Sequence, residues 1–411
     1  MKIKVSENLQ NLAKILGKKS DLYIVGGFVR DQLLGLPTGD VDLCGALTVT
    51  QIKNLLSKTN YEVKEISKKL GTAKIVCQDE KYEYSTFRKE TYLNNGNHSP
   101  SEVEFIQDIK QDAKRRDFTV NCLYYNINKN QIIDFYNGIQ DIKKRKIRCI
   151  ETPQIVFKND GLRILRMIRQ ASQLNFKIAS ETYHYAKKMI HMLEDISCHR
   201  KFEELNLVLD IKNKYNFINP YFMKGLRLFN KLGIWKYYFK ELTNVKYSMV
   251  KRVSSNNRLT GLIIDIVDTV NPDCVSYYLE QELYNIGEPK IKTAKLIEIV
   301  CGFYDALNLK NNKDYFFMYF KVFGDILPVL ERKAPLVARK YNFFYKYIIK
   351  YKVPVRIKDL KINGNDIKQN YPQIPQKKYS YILTDLLNKV FRAEIDNNKE
   401  CLIEEVKNYD Y

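Results

Sequence analysis

Residues 23–43 read YIVGGFVRDQLLGLPTGDVDL, and the order of residue types in this stretch decides the fold. The apolar run Tyr23-Ile24-Val25 has the make-up of a buried strand and stops at Gly26-Gly27. A helix-like segment follows from Phe28 to Leu34, and Gly35, Pro37 and Gly39 form a turn-rich link to Asp40-Val41-Asp42. Alternate strand residues point to one face, so a strand over 40–44 puts the carboxylates of Asp40 and Asp42 side by side. A glycine pair that opens a helix offers backbone N–H groups to phosphate. Together these features predict a place where a metal-bound nucleoside triphosphate is held. A lone Asp-x-Asp is also what a solvated loop shows; its position one helix after Gly26-Gly27 favours a site.

Working outward, residues 21–150 mix strand and helix signals, with strand candidates at 22–25, 40–44, 73–77, 81–88, 103–106 and 131–135. From about residue 155 long amphipathic segments take over: 159–172, 181–194, 199–211, 221–232, 275–285, 289–309 and 376–393. The expectation is an α/β head followed by an all-helical remainder. A chain of 411 residues has room for more than one domain.

Apolar residues make up 45% and charged residues 28%, as in ordinary globular proteins. The charge balance is unusual: 68 Lys and Arg against 47 Asp and Glu give +21. Such an excess points to a polyanion partner, nucleic acid before an anionic membrane surface, although a lysine-rich solvated surface has the same composition. No run of about 18 apolar residues is present, so no membrane span is expected. The N-terminus reads as an amphipathic helix without a signal core. The cysteines are scattered without a CxxC pair, which suggests reduced core thiols of a cytosolic protein and argues against zinc.

Further constellations carry chemistry. Asp40 and Asp42 are candidate Mg²⁺ ligands, because this ion prefers carboxylate and phosphate oxygens. Glu83, alternating with Ser85 and Phe87, fits a third carboxylate and equally an edge-strand residue in solvent. In Lys114-Arg115-Arg116-Asp117-Phe118-Thr119-Val120-Asn121, adjacent arginines suit a triphosphate, since guanidinium matches phosphate in a bidentate way. If this segment is helical, Asp117 and Asn121 are four apart and face the arginines or a ribose hydroxyl; it also reads as a basic surface patch. Asn159-Asp160-Gly161-Leu162-Arg163 reads as a helix start with Asp160 and Arg163 on one face. That pair suits the polar edge of a base, and read locally it is also a helix-surface salt bridge with Asn159 or Asp160 as cap.

These blocks resemble the class II tRNA nucleotidyltransferase family, which joins bacterial CCA-adding enzymes and poly(A) polymerases. GGFVRDQLLG with DVDL is similar to the family's GGxVRDxLLG with DxD, and KLGTAKI, YEYSTFRKE, RRDFTVN, IIDFYNG and DGLRILRMIR follow in the family's order over 23–170. SCHRKFEEL is similar to its serine–x–ERxxxEL block, and Leu360 to Ile367 resembles the start of a CCA-type C-terminal region.

The resemblance implies an α+β chain. A polymerase-β-like nucleotidyltransferase head with a mixed sheet would span 1–148, followed by a base-reading neck at 149–211, an RNA-binding body at 212–330 and a tRNA-binding tail at 331–411, all helical. It implies that Gly26, Gly27, Arg30 and Asp31 line the triphosphate, and that Asp40 and Asp42 bind Mg²⁺ with Glu83 beside them. Arg115, Arg116, Asp117 and Asn121 would contact phosphates and sugar. Asp160 and Arg163 would read CTP and ATP, with Arg166 and Arg169 further along the same segment. The function implied is addition of C, C and A to tRNA in the cytoplasm by a monomer or homodimer. CC-adding, A-adding and poly(A)-adding enzymes, or an RNA-binding protein with a degenerate head, are the alternatives.

The chain departs from the pattern at Asn159 and His199, where glutamates are usual, and at Asn97, where an arginine is usual. Asn159 and His199 are expected to support the template helix from behind. The run Lys143-Lys144-Arg145-Lys146 suits RNA or a solvated turn. Between Lys333 and Lys352 basic residues alternate with aromatics, and Phe343, Phe344 and Tyr347 are expected in a core.

Overall fold

Ser6 caps the first helix, α1 (Glu7–Leu16), by accepting from the Leu9 amide, and Leu9, Leu12, Ala13 and Leu16 recur on its buried side. The computed structural model describes residues 3–92, 100–209, 221–239, 242–251, 253, 258–271, 275–285, 352–391 and 393–409, with scattered positions between 296 and 350. After α1 the chain runs β1 (Leu22–Val25), α2 (Gly27–Leu33), β2 (Val41–Gly45), α3 (Val49–Leu56), β3 (Glu62–Ser67), β4 (Thr72–Cys77) and β5 (Glu80–Thr86). Next come β6 (Arg88–Thr91), β7 (Glu102–Phe105), α4 (Ile109–Lys114), β8 (Leu123–Asn126), β9 (Gln131–Asp134), α5 (Gly138–Lys143) and β10 (Lys146–Ile147).

Seven of these strands form one sheet in the order β3-β4-β5-β2-β1-β8-β9. Only β2 and β5 are parallel neighbours, so the sheet is mixed. Asp42 pairs with Val25 on one side and Glu83 on the other, and Glu83 pairs with Lys74. One residue pair further along β2, on the same face as Asp42, Cys44 is buried in a cluster with Val25, Phe87 and Tyr124. Asp42 therefore stands at the rim of a hydrophobic core. Each fully buried side chain of that sheet, such as Ile24, contributes roughly 1.5–3 kcal/mol.

The strand expected over 81–88 breaks at Phe87, and β6 leaves the sheet to pair with β7 in a separate ribbon. Two strands of the seven-stranded sheet escaped the sequence reading. β3 is an edge strand carrying Glu62, Lys64 and Glu65, charges that suit an edge and erase the apolar signal. β8 is only four residues, and all four are buried.

Beyond the head the described residues are mainly helical: α6 (Pro153–Asn159), α7 (Leu162–Gln173), α8 (Ser180–Lys188), α9 (Cys198–Leu209) and α10 (Phe222–Leu232). A two-residue strand, β11 (Lys177–Ile178), pairs with β10. The helix expected over 159–172 is α7, which starts at Leu162, and a separate helix, α6, comes before it. Asp160 is extended (φ −154°, ψ 105°) and separates α6 from α7. Gly161 fills the break, and a Cβ there would lie 2.3 Å from the Met192 carbonyl oxygen.

The chain divides into two compact units, 1–245 with 281–288, and 246–280 with 289–411. Later helices are α11 (Arg258–Val270), α12 (Val275–Asn285), α13 (Gly364–Asn370), α14 (Tyr379–Phe391) and α15 (Lys399–Val406). In the second unit the Asp265 carboxylate accepts from the amides of Ser248, Met249 and Val250, fastening that segment to α11. Leu360, Ile367, Leu386 and Leu402 belong to a C-terminal core of their own. Most of 289–309, together with Asn97, Phe343, Phe344 and Tyr347, lies outside the described residues, while Arg339, Lys346, Lys350 and Lys352 are exposed. Among the cysteines, Cys44, Cys77, Cys122 and Cys149 are buried as expected, but Cys198 and Cys401 are exposed. Among the described residues no helix is long and apolar enough to cross a membrane.

Candidate active site

The turn between β1 and α2 passes close to β2. Gly26 has φ +81°, which side chains rarely tolerate, and a Cβ there would lie 3.7 Å from Asp42 Oδ2. Gly26, Gly27 and Asp42 form one wall of a cavity of about 370 Å³. Arg115, Arg116, Asp117 and Asn121, from the segment after α4, form a second. Asp160, Arg163 and Arg166 close it from the α6–α7 break and α7.

The two adjacent arginines are held by a residue the sequence reading missed. Asp112, fully buried in α4, accepts from Arg115 Nε at 2.8 Å through one oxygen. Its other oxygen accepts from Arg116 Nη2 at 3.1 Å and from the Tyr124 hydroxyl at 2.8 Å. Arg116 Nε also donates to the Tyr124 oxygen at 2.7 Å, with the guanidinium 4.9 Å from the ring centre. Burial pushes the Asp112 carboxyl up, but Arg116 and Arg115 outweigh it and hold its pKa at about 2. The signal was present in the sequence as an acid three and four residues before two arginines.

Asp117 does not face its neighbours in a helix, because α4 ends at Lys114 and residues 115–117 form a turn and a bend. Its Oδ2 accepts from Arg166 Nε at 2.8 Å and pairs with Arg166 Nη2 at 2.7 Å, and its Oδ1 accepts from the Phe118 amide. Burial raises the Asp117 carboxyl, and Arg166 and Arg163 more than reverse it, so it titrates below the usual range. Asn121 Oδ1 accepts from Arg30 Nη1 at 2.6 Å.

Asp160 Oδ1 accepts from the Leu162 amide at 2.9 Å, which starts α7, and its Oδ2 lies 3.6 Å from Arg163 Nε. Arg163 Nη2 donates to the Arg115 carbonyl at 2.7 Å. The cap and the ion pair of the local reading thus coexist, but in a buried arrangement that lines the cavity and not on the helix surface.

Several expected residues are not cavity-lining. Arg30 and Asp31 are buried and paired with each other at 2.7 Å, behind the wall that Asn121 presents. Asp40 precedes β2 rather than sharing its face, and it is exposed. Glu83 is exposed beside Asp42 in β5. Arg169 turns away and pairs with Glu204 of α9 at 2.6 Å. His199 does not support the template from behind: it is exposed and lies 3.3 Å from Glu203 on its own helix. The half-buried Asn159 ends α6. Arg88, Glu90 and Tyr92 line the cavity unannounced, although their spacing in RKETY marks one face of a strand.

Chemically, guanidiniums suit phosphates, and a carboxylate beside a guanidinium suits a base edge. Among the described residues no three His, Cys, Asp or Glu side chains cluster closely enough to hold an ion alone. Asp42 with open space at Gly26, and Asp40 and Glu83 nearby in sequence or register, still fit Mg²⁺. That ion is commonly held by one or two carboxylates plus substrate phosphates.

Residues 22–148 match the family described as the poly A polymerase head domain, and residues 175–246 match the probable RNA and SrmB-binding site of polymerase A. A CCA-adding enzyme of Ligilactobacillus salivarius is 29% identical over 96% of this chain and 94% of its own length. A CCA-adding enzyme of Staphylococcus epidermidis is 37% identical over 55% of this chain and 54% of its own. The crystal structure of the Bacillus stearothermophilus CCA-adding enzyme in complex with CTP has the same fold, with a TM-score of 0.68 over 97% of this chain and 96% of that one at 20% identity. By its ordered motifs, its mixed head sheet and these matches, the chain carries a poly A polymerase head domain over residues 22–148 and is similar over nearly its whole length to bacterial CCA-adding enzymes.

Proposed function

We propose that the protein adds C, C and A to tRNA 3′ ends from CTP and ATP, releasing pyrophosphate. The observation that carries this reading is the single cavity shared by Gly26, Gly27 and Asp42, by Arg115 and Arg116, and by Asp160 and Arg163. Arg115 and Arg116, held by Asp112, present guanidinium edges to the triphosphate. Asp160 and Arg163 place an acceptor beside a donor. Cytosine and adenine answer with an amino group beside a bare ring nitrogen, whereas uracil and guanine present the reverse order and leave buried groups unpaired.

Asp40 and Asp42 would hold Mg²⁺, with Glu83 alongside Asp42 in the sheet. When bound, the ion lowers the pKa of the attacking RNA hydroxyl and neutralises charge on the phosphates. Arg166, fixed by Asp117, keeps α7 against the segment that carries Arg115 and Arg116. Arg169 acts from a distance through Glu204. The assigned parts are a catalytic head at 1–148, a base-reading neck at 149–211, and an RNA-binding body and tail at 212–330 and 331–411, in a cytoplasmic monomer or homodimer.

The test is to incubate the full chain with tRNA lacking CCA, and with tRNA ending in C-C, giving CTP and ATP singly and together. Sequencing is expected to find a complete CCA on the first substrate. C-C alone, A alone or a long A tail would each select a different enzyme of the family. Asp42→Ala is expected to lose incorporation by about a thousandfold or more, in the range typical of removing a central catalytic group, while tRNA binding persists.

A further inference from the structure

Tyr92 follows β6 directly, and with Arg88 and Glu90 it makes an alternating set that lines the cavity. Its hydroxyl donates to Glu90 Oε2 at 2.6 Å, and Glu90 Oε1 accepts from Arg88 Nε at 2.7 Å and lies 3.5 Å from Arg115 Nη1. The ring is thereby fixed at its far end. Arg163 lies with its guanidinium carbon 5.9 Å from the centre of that ring. Arg163 has two other anchors, the Arg115 carbonyl at 2.7 Å and Asp160 at 3.6 Å. Both anchors sit at the guanidinium's edges, so the aromatic ring is what restrains the plane in which its remaining N–H groups point. A guanidinium's recognition of a base is planar, and a tilt of that plane misaims the donors.

We infer that Tyr92 is a positioning residue for base selection, holding the plane of Arg163 so that its donors meet the base edge. This rests on the proposed role of Arg163 in reading the base. The role belongs to the ring and not to the hydroxyl. Removing the hydroxyl frees Glu90, which keeps Arg88 and Arg115 as partners. Removing the ring lets the guanidinium swing. A partly desolvated cation–π contact of this kind corresponds to about a tenfold effect.

Two variants separate the possibilities: Tyr92→Leu removes ring and hydroxyl, and Tyr92→Phe removes the hydroxyl alone. The measurement is kcat/KM for CTP and for UTP, on tRNA lacking CCA, with each full-length variant. Wild type and Tyr92→Phe are expected to share one CTP-over-UTP ratio, and Tyr92→Leu to lower it by about tenfold. Recovery of the ratio by Phe is a readout that loss of folding in the Leu variant would not produce. A Leu variant that discriminates like wild type, or a Phe variant that loses discrimination as Leu does, overturns the role of Tyr92 and leaves the function intact. A wild type that does not prefer CTP overturns both.

Discussion

Asp112 carries more of the site than any residue that touches the cavity. Its two oxygens orient both arginines and the Tyr124 hydroxyl, and Oδ1 also accepts from the Arg88 amide at 3.2 Å. An acid whose folded pKa is depressed stabilises the fold above its unfolded pKa of about 4, and that contribution is lost as pH falls towards about 2. Asp112→Asn is therefore expected to cost about 2 kcal/mol at pH 7, with the difference from wild type shrinking to about 0.4 kcal/mol near pH 2 and vanishing below it. Urea denaturation at several pH values checks this; a constant difference across the range would mean that charge is not the cause. Legibility at this scale follows from how a residue announces itself. Gly26 and Asp42 are visible in sequence because turn and strand types flank them. Asp40 was read with them because the strand was expected to start one residue earlier than Val41. Asp112 and Glu90 are single acids inside regular elements, and only their partners give them meaning.

At the scale of elements, the break between α6 and α7 puts the Asp160 carboxylate at a helix start, as the local sequence reads. Apolar spacing ran through the break, since Val156, Phe157, Leu162 and Leu165 are all buried. Gly161 is the residue that permits the break to approach Met192, whose carbonyl oxygen would lie 2.3 Å from an added Cβ. Gly161→Ala must move backbone, and it is expected to destabilise by about 1–3 kcal/mol and to weaken base discrimination together with stability. Thermal unfolding read alongside CTP and UTP kinetics tests this, and an unchanged melting temperature would show that Met192 yields without cost. The β6–β7 ribbon was harder to see. Thr86, Phe87 and Arg88 read as one strand, but Phe87 is buried with the head core while Arg88 turns to a new partner strand.

At the scale of the molecule, the charge of +21 matters only if phosphates meet it. Counterion release then makes tRNA affinity fall with salt, by about tenfold or more between roughly 50 and 200 mM if several contacts form. Filter binding at graded salt checks this, and a flat response would show that the surplus charge faces solvent. The mixed head with a helical remainder was legible because period-two and period-3.6 patterns occupy different halves of the chain. The placement of β8 was not, because four residues carry too little pattern to say which strand they join. That placement has a consequence for how the chain acquires its shape. β1 and β2 are made early and pair with each other, yet the other edge of β1 stays open until β8, about a hundred residues later, emerges and inserts beside it. Closing so long a loop is slow compared with joining neighbours. The C-terminal core draws on residues from 360 to 406 alone and needs no such wait. In the head, order of assembly therefore follows order of synthesis: the β1–β2 pair that bears Asp42 can form first, and the sheet is completed only when β8 joins the other edge of β1.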